Sequence, residues 1–199
     1  MNDREVVRAR IRNATSDVPS DEPAAWTRDT DPDPASAYTR ERVMEPGEAA
    51  RLFAERCADY RAVVTRCPDE TSAITAAVAD ACGRHGASVL AVPVGVVVDW
   101  VPHGVEAHLD DPPMSVDELD ACDGVLTGCA VAIALTGTIV LDAGPGQGRR
   151  ALSLIPDLHI CVVRAHQIVV GVPDGFGALD GSLRMRRPLT FISGPSATS

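Results

Sequence analysis

The sequence predicts an α/β domain whose sheet is mostly parallel, and three observations carry that reading. An apolar run at 62–65, an Ala-rich helical stretch over 68–86 and a second apolar run at 88–92 give a strand–helix–strand order, which sets two strands parallel across a right-handed crossover. Beyond Asp123 the texture changes to short runs rich in Val, Ile and Leu, separated by glycine turns, the pattern of successive strands. The 199 residues are 45% apolar and 23% charged, the balance of a globular chain long enough to bury one core. Aromatics make up only 4%, so that core is built from Ala, Val, Ile and Leu.

Residues 3–14 read as a short helix, with Val6, Val7 and Ile11 on one stripe and Arg4, Arg8, Arg10 and Arg12 around the rest. Residues 15–37 hold four prolines and six acids and read as an extended arm, with Trp26 as its anchor. The chain therefore divides into a helix and arm over 1–37 and a main domain over 38–199. Pro46 suits the first position of a helix that runs to about residue 60 and buries Ala50, Phe53, Ala54 and Cys57. The strand at 62–65 comes next, then the long helix, which Gly86 closes, then the strand at 88–92. Residues 93–114 read as a Gly/Pro-punctuated loop that holds Trp100, His103 and His108. Ser115 and Glu118 have capping-box spacing and open a short helix. Strands are predicted at 125–129, 130–134, 138–141, 159–164 and 189–192, with a helix over 174–186 before the last.

Charge narrows the function. All 18 basic residues are Arg, against 28 acids, for a net charge of −10. A chain without Lys has no Schiff-base lysine and no Walker lysine for phosphate. So negative a chain is also a poor partner for nucleic acid or an acidic membrane surface. Residues 85–148 hold nine acids and no Arg, while 149–199 hold six Arg and three acids. An anion site built from side chains must therefore draw on the C-terminal quarter.

The six cysteines, at 57, 67, 82, 122, 129 and 161, form no C-x-x-C pair and no zinc-finger spacing with His. No metal and no cofactor are predicted. The polar start shows no export signal, which places the chain in a reducing cytoplasm with free thiols. No apolar run reaches the roughly 18 residues of a membrane helix.

The densest chemical signal lies at 124–167. Thr136-Gly137-Thr138 makes a small polar turn, and Gly144-Pro145-Gly146-Gln147-Gly148 makes a glycine-rich loop that runs straight into Arg149 and Arg150. Glycines let a backbone present its N–H groups to an anion, and guanidiniums add charge-assisted donors. The same residues would equally make a tight hairpin with exposed arginines. The G-x-G-x-x-G dinucleotide fingerprint is absent. In the anion-site reading Gly144, Gly146 and Gly148 shape the cradle, Gln147 orients a ligand oxygen, Arg149 supplies charge, and Arg164 with Ser193, Gly194 and Ser196 closes the far side. His103, Glu106, His108, Asp110 and Asp111 mix imidazole and carboxylate but read as a solvated acidic loop. His159 reads as a satisfied core histidine, and Cys129 as a buried thiol without a sequence-local base.

Three long stretches carry a resemblance. T-G-x-x-x-A-I-A-x-T-G-T-I-V-L at 127–141, G-P-G-Q-G-R-R-A-L-S-L at 144–154 leading into H-I-x-V-V-R-A-x-Q-I-V at 159–169, and P-L-T-F-I-S-G-P-S-A-T-S at 188–199 resemble the lactate utilization protein C family, whose shared module is the LUD domain. The V-P-x-G-x-x-x-D-W stretch at 92–100 and the Trp-bearing arm look like it too. The resemblance implies a Rossmann-like three-layer α/β fold similar to phosphosugar isomerases, folate cyclo-ligases and CoA-transferases. It implies an accessory or regulatory subunit in the oxidation of L-lactate to pyruvate, beside iron–sulfur protein subunits, with a small anion as its ligand. Two other readings stand beside it: a stand-alone enzyme acting on a phosphorylated or CoA-linked organic acid, and a purely structural assembly subunit.

Three positions depart from the family pattern. The Glu of A-I-A-E-T-G-T is Leu135 here, and the Asp of V-V-R-A-D-Q-I-V is His166, so neither place offers that acid. The family continues beyond its serine-rich end, whereas this chain stops at Ser199, which is read as a truncated edge or a divergent member.

Overall fold

The computed structural model describes residues 44–194. The predicted helix at 3–14, the arm with Trp26, the boundary at 37–38, and Ser196 lie outside the described residues.

Pro46 opens the first described helix, α1 (Pro46–Asp59), and its buried face carries Ala49 and Phe53. The second, α2 (Thr71–His85), buries Ile74, Val78 and Cys82, a single stripe at four-residue spacing. It ends at Gly86, whose φ of 67° is the left-handed cap that glycine adopts without strain. The capping box at Ser115 and Glu118 forms as predicted and starts α3 (Val116–Asp120).

Among the described residues, eight strands make two four-stranded sheets. The first has the order β2 (Glu106–Leu109), β1 (Val89–Val92), β3 (Gly124–Gly128), β6 (Leu158–Val162), and every pairing in it is parallel. On one face lies α2, its Ile74 and Val78 clustered with Leu90, Val92 and Leu126. On the other face Leu119 of α3 and Leu152 cluster with Ala91 and Val125. Alternate residues of β1 and β3 thus serve opposite layers, which is why these strands read as continuous apolar runs. This is the predicted α/β architecture: helix, parallel sheet, helix.

The second sheet has the order β7 (Ile168–Val169), β4 (Val131–Ile133), β5 (Thr138–Leu141), β8 (Thr190–Ile192). Here β4–β7 is parallel, while β4–β5 and β5–β8 are antiparallel. Its faces pack likewise, Ala132 and Ala134 under Phe53 of α1, and Val131, Ile133 and Val140 under Leu179. Only Cys129 and Ala130 separate β3 from β4, and only a short stretch with a single 3₁₀ turn (Ala165–Gln167) separates β6 from β7. The two sheets therefore meet where these strands pass from one to the other.

Three expectations need correction. Residues 62–65 form no strand; they are exposed irregular chain, with Val63 67% accessible. A four-residue apolar run does not by itself distinguish a buried strand from exposed chain. The parallel sheet is made instead by strands later in the chain. Second, the loop at 93–114 contains β2 and a 3₁₀ turn (Val98–Trp100). As an edge strand with mostly exposed side chains, β2 needs no apolar alternation and so left no pattern. Third, the single helix expected at 174–186 is two, α4 (Val172–Ala178) and α5 (Asp180–Arg184), broken at the buried Leu179.

Candidate functional site

A cleft of about 140 Å³ sits at the carboxyl ends of β1, β3 and β6. Parallel α/β sheets take ligands there because the loops leaving adjacent strands diverge and open a crevice. Gly95, Val96 and Trp100 come from the chain after β1, Gly128 and Cys129 from the end of β3, and Val162, Arg164 and Gln167 from the end of β6 and the 3₁₀ turn beyond it. Pro145, Gly146 and Gln147 complete the wall.

The glycine-rich loop reaches this position through backbone hydrogen bonds. The Gly146 N–H donates to Val94 O at 2.7 Å, and the Gly146 carbonyl accepts from Gly128 N–H at 2.8 Å. Gly146 therefore bridges the ends of β1 and β3. Its φ of 77°, and the Gly95 carbonyl 3.2 Å from where a Cβ would stand, leave room for glycine. Gly148 is tighter still: at φ 69°, an added Cβ would lie 2.3 Å from Leu152 Cδ1 and 2.7 Å from Pro93 Cβ.

The polar groups of the loop are largely engaged within the protein. Gln147 Oε1 accepts from Asp142 N–H at 2.6 Å. Gly144 N–H donates to Asp142 Oδ1 at 2.9 Å. Asp142 is 5% exposed, and it also accepts from Ser182 Oγ and, at 3.2 Å, from Arg187. Burial pushes its carboxyl up, but Ser182, the Gly144 N–H and Arg187 together hold it below the ordinary range. Asp142 is a residue that sequence reasoning missed, and it anchors the loop to α5.

Arg149 points away from the cleft. Its guanidinium grips Asp110 with two hydrogen bonds of 2.9 Å and donates a third to Met114 O at 2.5 Å. The Arg149 hydrogen bonds draw the Asp110 carboxyl below its usual value. The cationic side chain that lines the cleft is Arg164, whose guanidinium carbon lies 5.6 Å from the centroid of Trp100. Arg164 also pairs with the exposed Asp69 at 2.5 Å. Gln167 sets its backbone: Oε1 accepts from Arg164 N–H at 2.9 Å, while Nε2 donates to Cys129 O at 2.6 Å.

The structure thus brings Gly146, Gln147 and Arg164 to the cleft wall, with Gly144, Gly148 and Arg149 just behind it. The other predicted residues gather elsewhere. Thr136 Oγ1 lies 2.8 Å from Thr138 Oγ1, which lies 2.7 Å from Ser193 Oγ. The Gly137 carbonyl accepts from Cys57 of α1 at 3.6 Å, and Gly194 packs on Tyr60. This hydroxyl chain ties β5 and β8 beside the end of α1. Trp100, Gly95 and Gln167 were not among the site residues expected from the sequence; the V-P-x-G-x-x-x-D-W stretch at 92–100 was the available signal for the first two.

His159 is held neutral. Its Nε2 is 2.8 Å from Thr127 Oγ1, and burial lowers its pKa to about 4. His108 pairs with Glu106 on β2, and Asp110 with Arg149, so the acidic stretch around them is spent on an edge strand and an ion pair.

A helix-flanked parallel sheet, with a glycine turn and one arginine at the carboxyl ends of its strands, defines a Rossmann-like α/β protein. The family model described as the LUD domain matches residues 48–199, and the chain belongs to the LUD domain family. It is 46% identical over 168 residues to a protein named Lactate utilization protein C from Deinococcus radiodurans, covering 84% of this chain and 77% of that one. It is also similar to the crystal structure of a DUF162 family protein from the same organism, with a TM-score of 0.71 and 47% identity over 76% of this chain and 90% of that one. Among the described residues no helix is long and apolar enough to cross a membrane.

Proposed function

We propose that the protein is a cytoplasmic accessory subunit of a lactate-utilisation system, and that its cleft binds a small organic anion. The similarity to a protein named for lactate utilisation supports the first part. The observation that carries the second is Arg164, the cation on the wall of a cleft at the carboxyl edge of the parallel sheet. The Asp69 carboxylate on its guanidinium supports a carboxylate as the group that Arg164 would bind. With Asp69 itself 60% exposed, that pair contributes at most about 1 kcal/mol, so a ligand carboxylate can replace it.

Size favours a small acid. The 140 Å³ volume is less than half of the roughly 300 Å³ at the lower end of drug- and cofactor-sized pockets. A three-carbon hydroxy or keto acid is on that scale; a CoA thioester or a nucleotide would extend beyond the cleft. The iron–sulfur subunits expected beside it would then carry the electrons of the oxidation.

Calorimetric titration of lactate, pyruvate, phosphate, nucleotides and CoA against the wild type and Arg164→Ala tests the site. Lactate or pyruvate binds the wild type at millimolar levels or better, and the variant binds about one to two orders of magnitude more weakly. If none of these anions binds, the structural assembly subunit becomes the reading. Co-purification from cells grown on lactate tests the subunit role.

A further inference from the structure

The cleft contains a second chemistry that anion binding does not use. Strands β3 and β6 pair in parallel with Thr127 opposite Cys161 and Gly128 opposite Val162. The alternation of side chains puts residues 127 and 161 on one face, and Cys129 follows Gly128 directly beyond the end of β3. Cys161 Sγ donates to the Gly128 carbonyl at 3.6 Å, the peptide group that joins Gly128 to Cys129. Cys161 is the neighbouring side chain that acts most strongly on the Cys129 thiol. Cys129 lines the cleft and is 4% exposed, whereas Cys161 is half-buried. The remaining cysteines are placed differently. Cys82 and Cys122 are buried in separate clusters on opposite faces of the first sheet, and Cys67 is exposed.

We propose that Cys129 and Cys161 are a redox-active dithiol, which a hydroperoxide oxidises to an intrachain disulfide in the wall of the cleft. Cys161, the more accessible, attacks the peroxide as its thiolate. The O–O bond breaks, and the sulfur becomes a sulfenic acid while the departing oxygen takes a proton and leaves as water or an alcohol. The Cys129 sulfur then attacks the sulfenic sulfur. Its proton and the sulfenic hydroxyl leave as water, and the S–S bond forms. Two thiols lose two hydrogens and two electrons, and the peroxide takes up both. Contact with Cys161 and burial both push the Cys129 thiol up, which suits the second, resolving step rather than the first. Cys57 also lies near Cys161, but burial pushes its thiol up to about 11 and its Sγ donates to Gly137 O, so it competes poorly. The disulfide takes Cys129 Sγ off Gln167 Oε1, 3.7 Å away, and so disturbs the amide that holds Arg164.

The pair is defined without reference to any bound anion, and its test reads sulfur chemistry alone. Wild-type protein is treated with a stoichiometric amount of hydrogen peroxide, alkylated while folded, then unfolded, alkylated with a second reagent and mapped by mass spectrometry. The expected product is one cross-linked peptide joining 129 to 161, lighter by two hydrogens and restored by dithiothreitol. The Cys129→Ser variant instead holds a sulfenic acid at Cys161 that dimedone traps. Free thiols at both positions once Cys67 has been oxidised would overturn the proposal. So would a disulfide from Cys161 to Cys57, or sulfinic acid at either position in the wild type.

Discussion

Arg149 and Asp110, 39 residues apart in the chain, meet through two parallel hydrogen bonds of 2.9 Å, and Asp110 is 7% exposed. The guanidinium just past the glycine loop is therefore a strut between that loop and the end of β2. The Arg149→Ala variant leaves a buried carboxylate without its partner. The expected loss is about 2 kcal/mol, below the roughly 3–5 kcal/mol of a fully buried pair because Arg149 is 37% exposed. A urea or thermal melt reads it. Arg164→Ala should leave the melt nearly unchanged, so the two arginines separate stability from binding.

Stability should fall on mild acidification because of His159. Its folded pKa of about 4 lies below the ordinary value of 6.5. Between those values the unfolded chain takes up a proton that the folded protein refuses, so stability is full above about pH 6.5 and falls as pH drops toward 4. The loss approaches roughly 3 kcal/mol across that window. Chemical denaturation from pH 7 to 4.5 measures it, and His159→Gln should flatten the slope. A wild-type profile without that slope would show the imidazole to be freely solvated.

Gly148→Ala should be among the more damaging small changes. The added methyl must displace Leu152 Cδ1 at 2.3 Å and Pro93 Cβ at 2.7 Å, at a φ of 69°. Strain and overpacking together cost about 2–4 kcal/mol. A midpoint shift in urea without a change in m-value is the expected signature. At Gly181 of α5, where a Cβ meets nothing within 4 Å, the same substitution should be neutral or stabilising.

Leu135→Glu should be tolerated. Leu135 is 44% exposed at the turn after β4 and does not line the cleft. A carboxylate there stays in water, so the change is within about 0.5 kcal/mol. A loss of several kcal/mol in the same melt would show that Leu135 is buried in solution.

The class of fold and the extent of most helices and strands are legible in the sequence, and its densest signal, at 124–167, supplies most of the residues that line the cleft. Those features are local or periodic: Pro46 starts a helix, Gly86 stops one, Ser115 with Glu118 caps one, and Val125, Leu126 and Val140 are apolar because strands buried on both faces need them. The tertiary structure decided what each polar residue does. No spacing rule says that Asp110 reaches across to Arg149, that Asp142 claims Gln147, or that the pair Thr138 and Ser193 lies by α1 and not at the glycine loop. These pairings depend on which strands become neighbours, and strand order is set by packing two helical layers on one sheet. Arg149 and Arg164 are chemically identical in sequence; only their neighbours, a buried carboxylate for one and Trp100 with an open cleft for the other, give them different work.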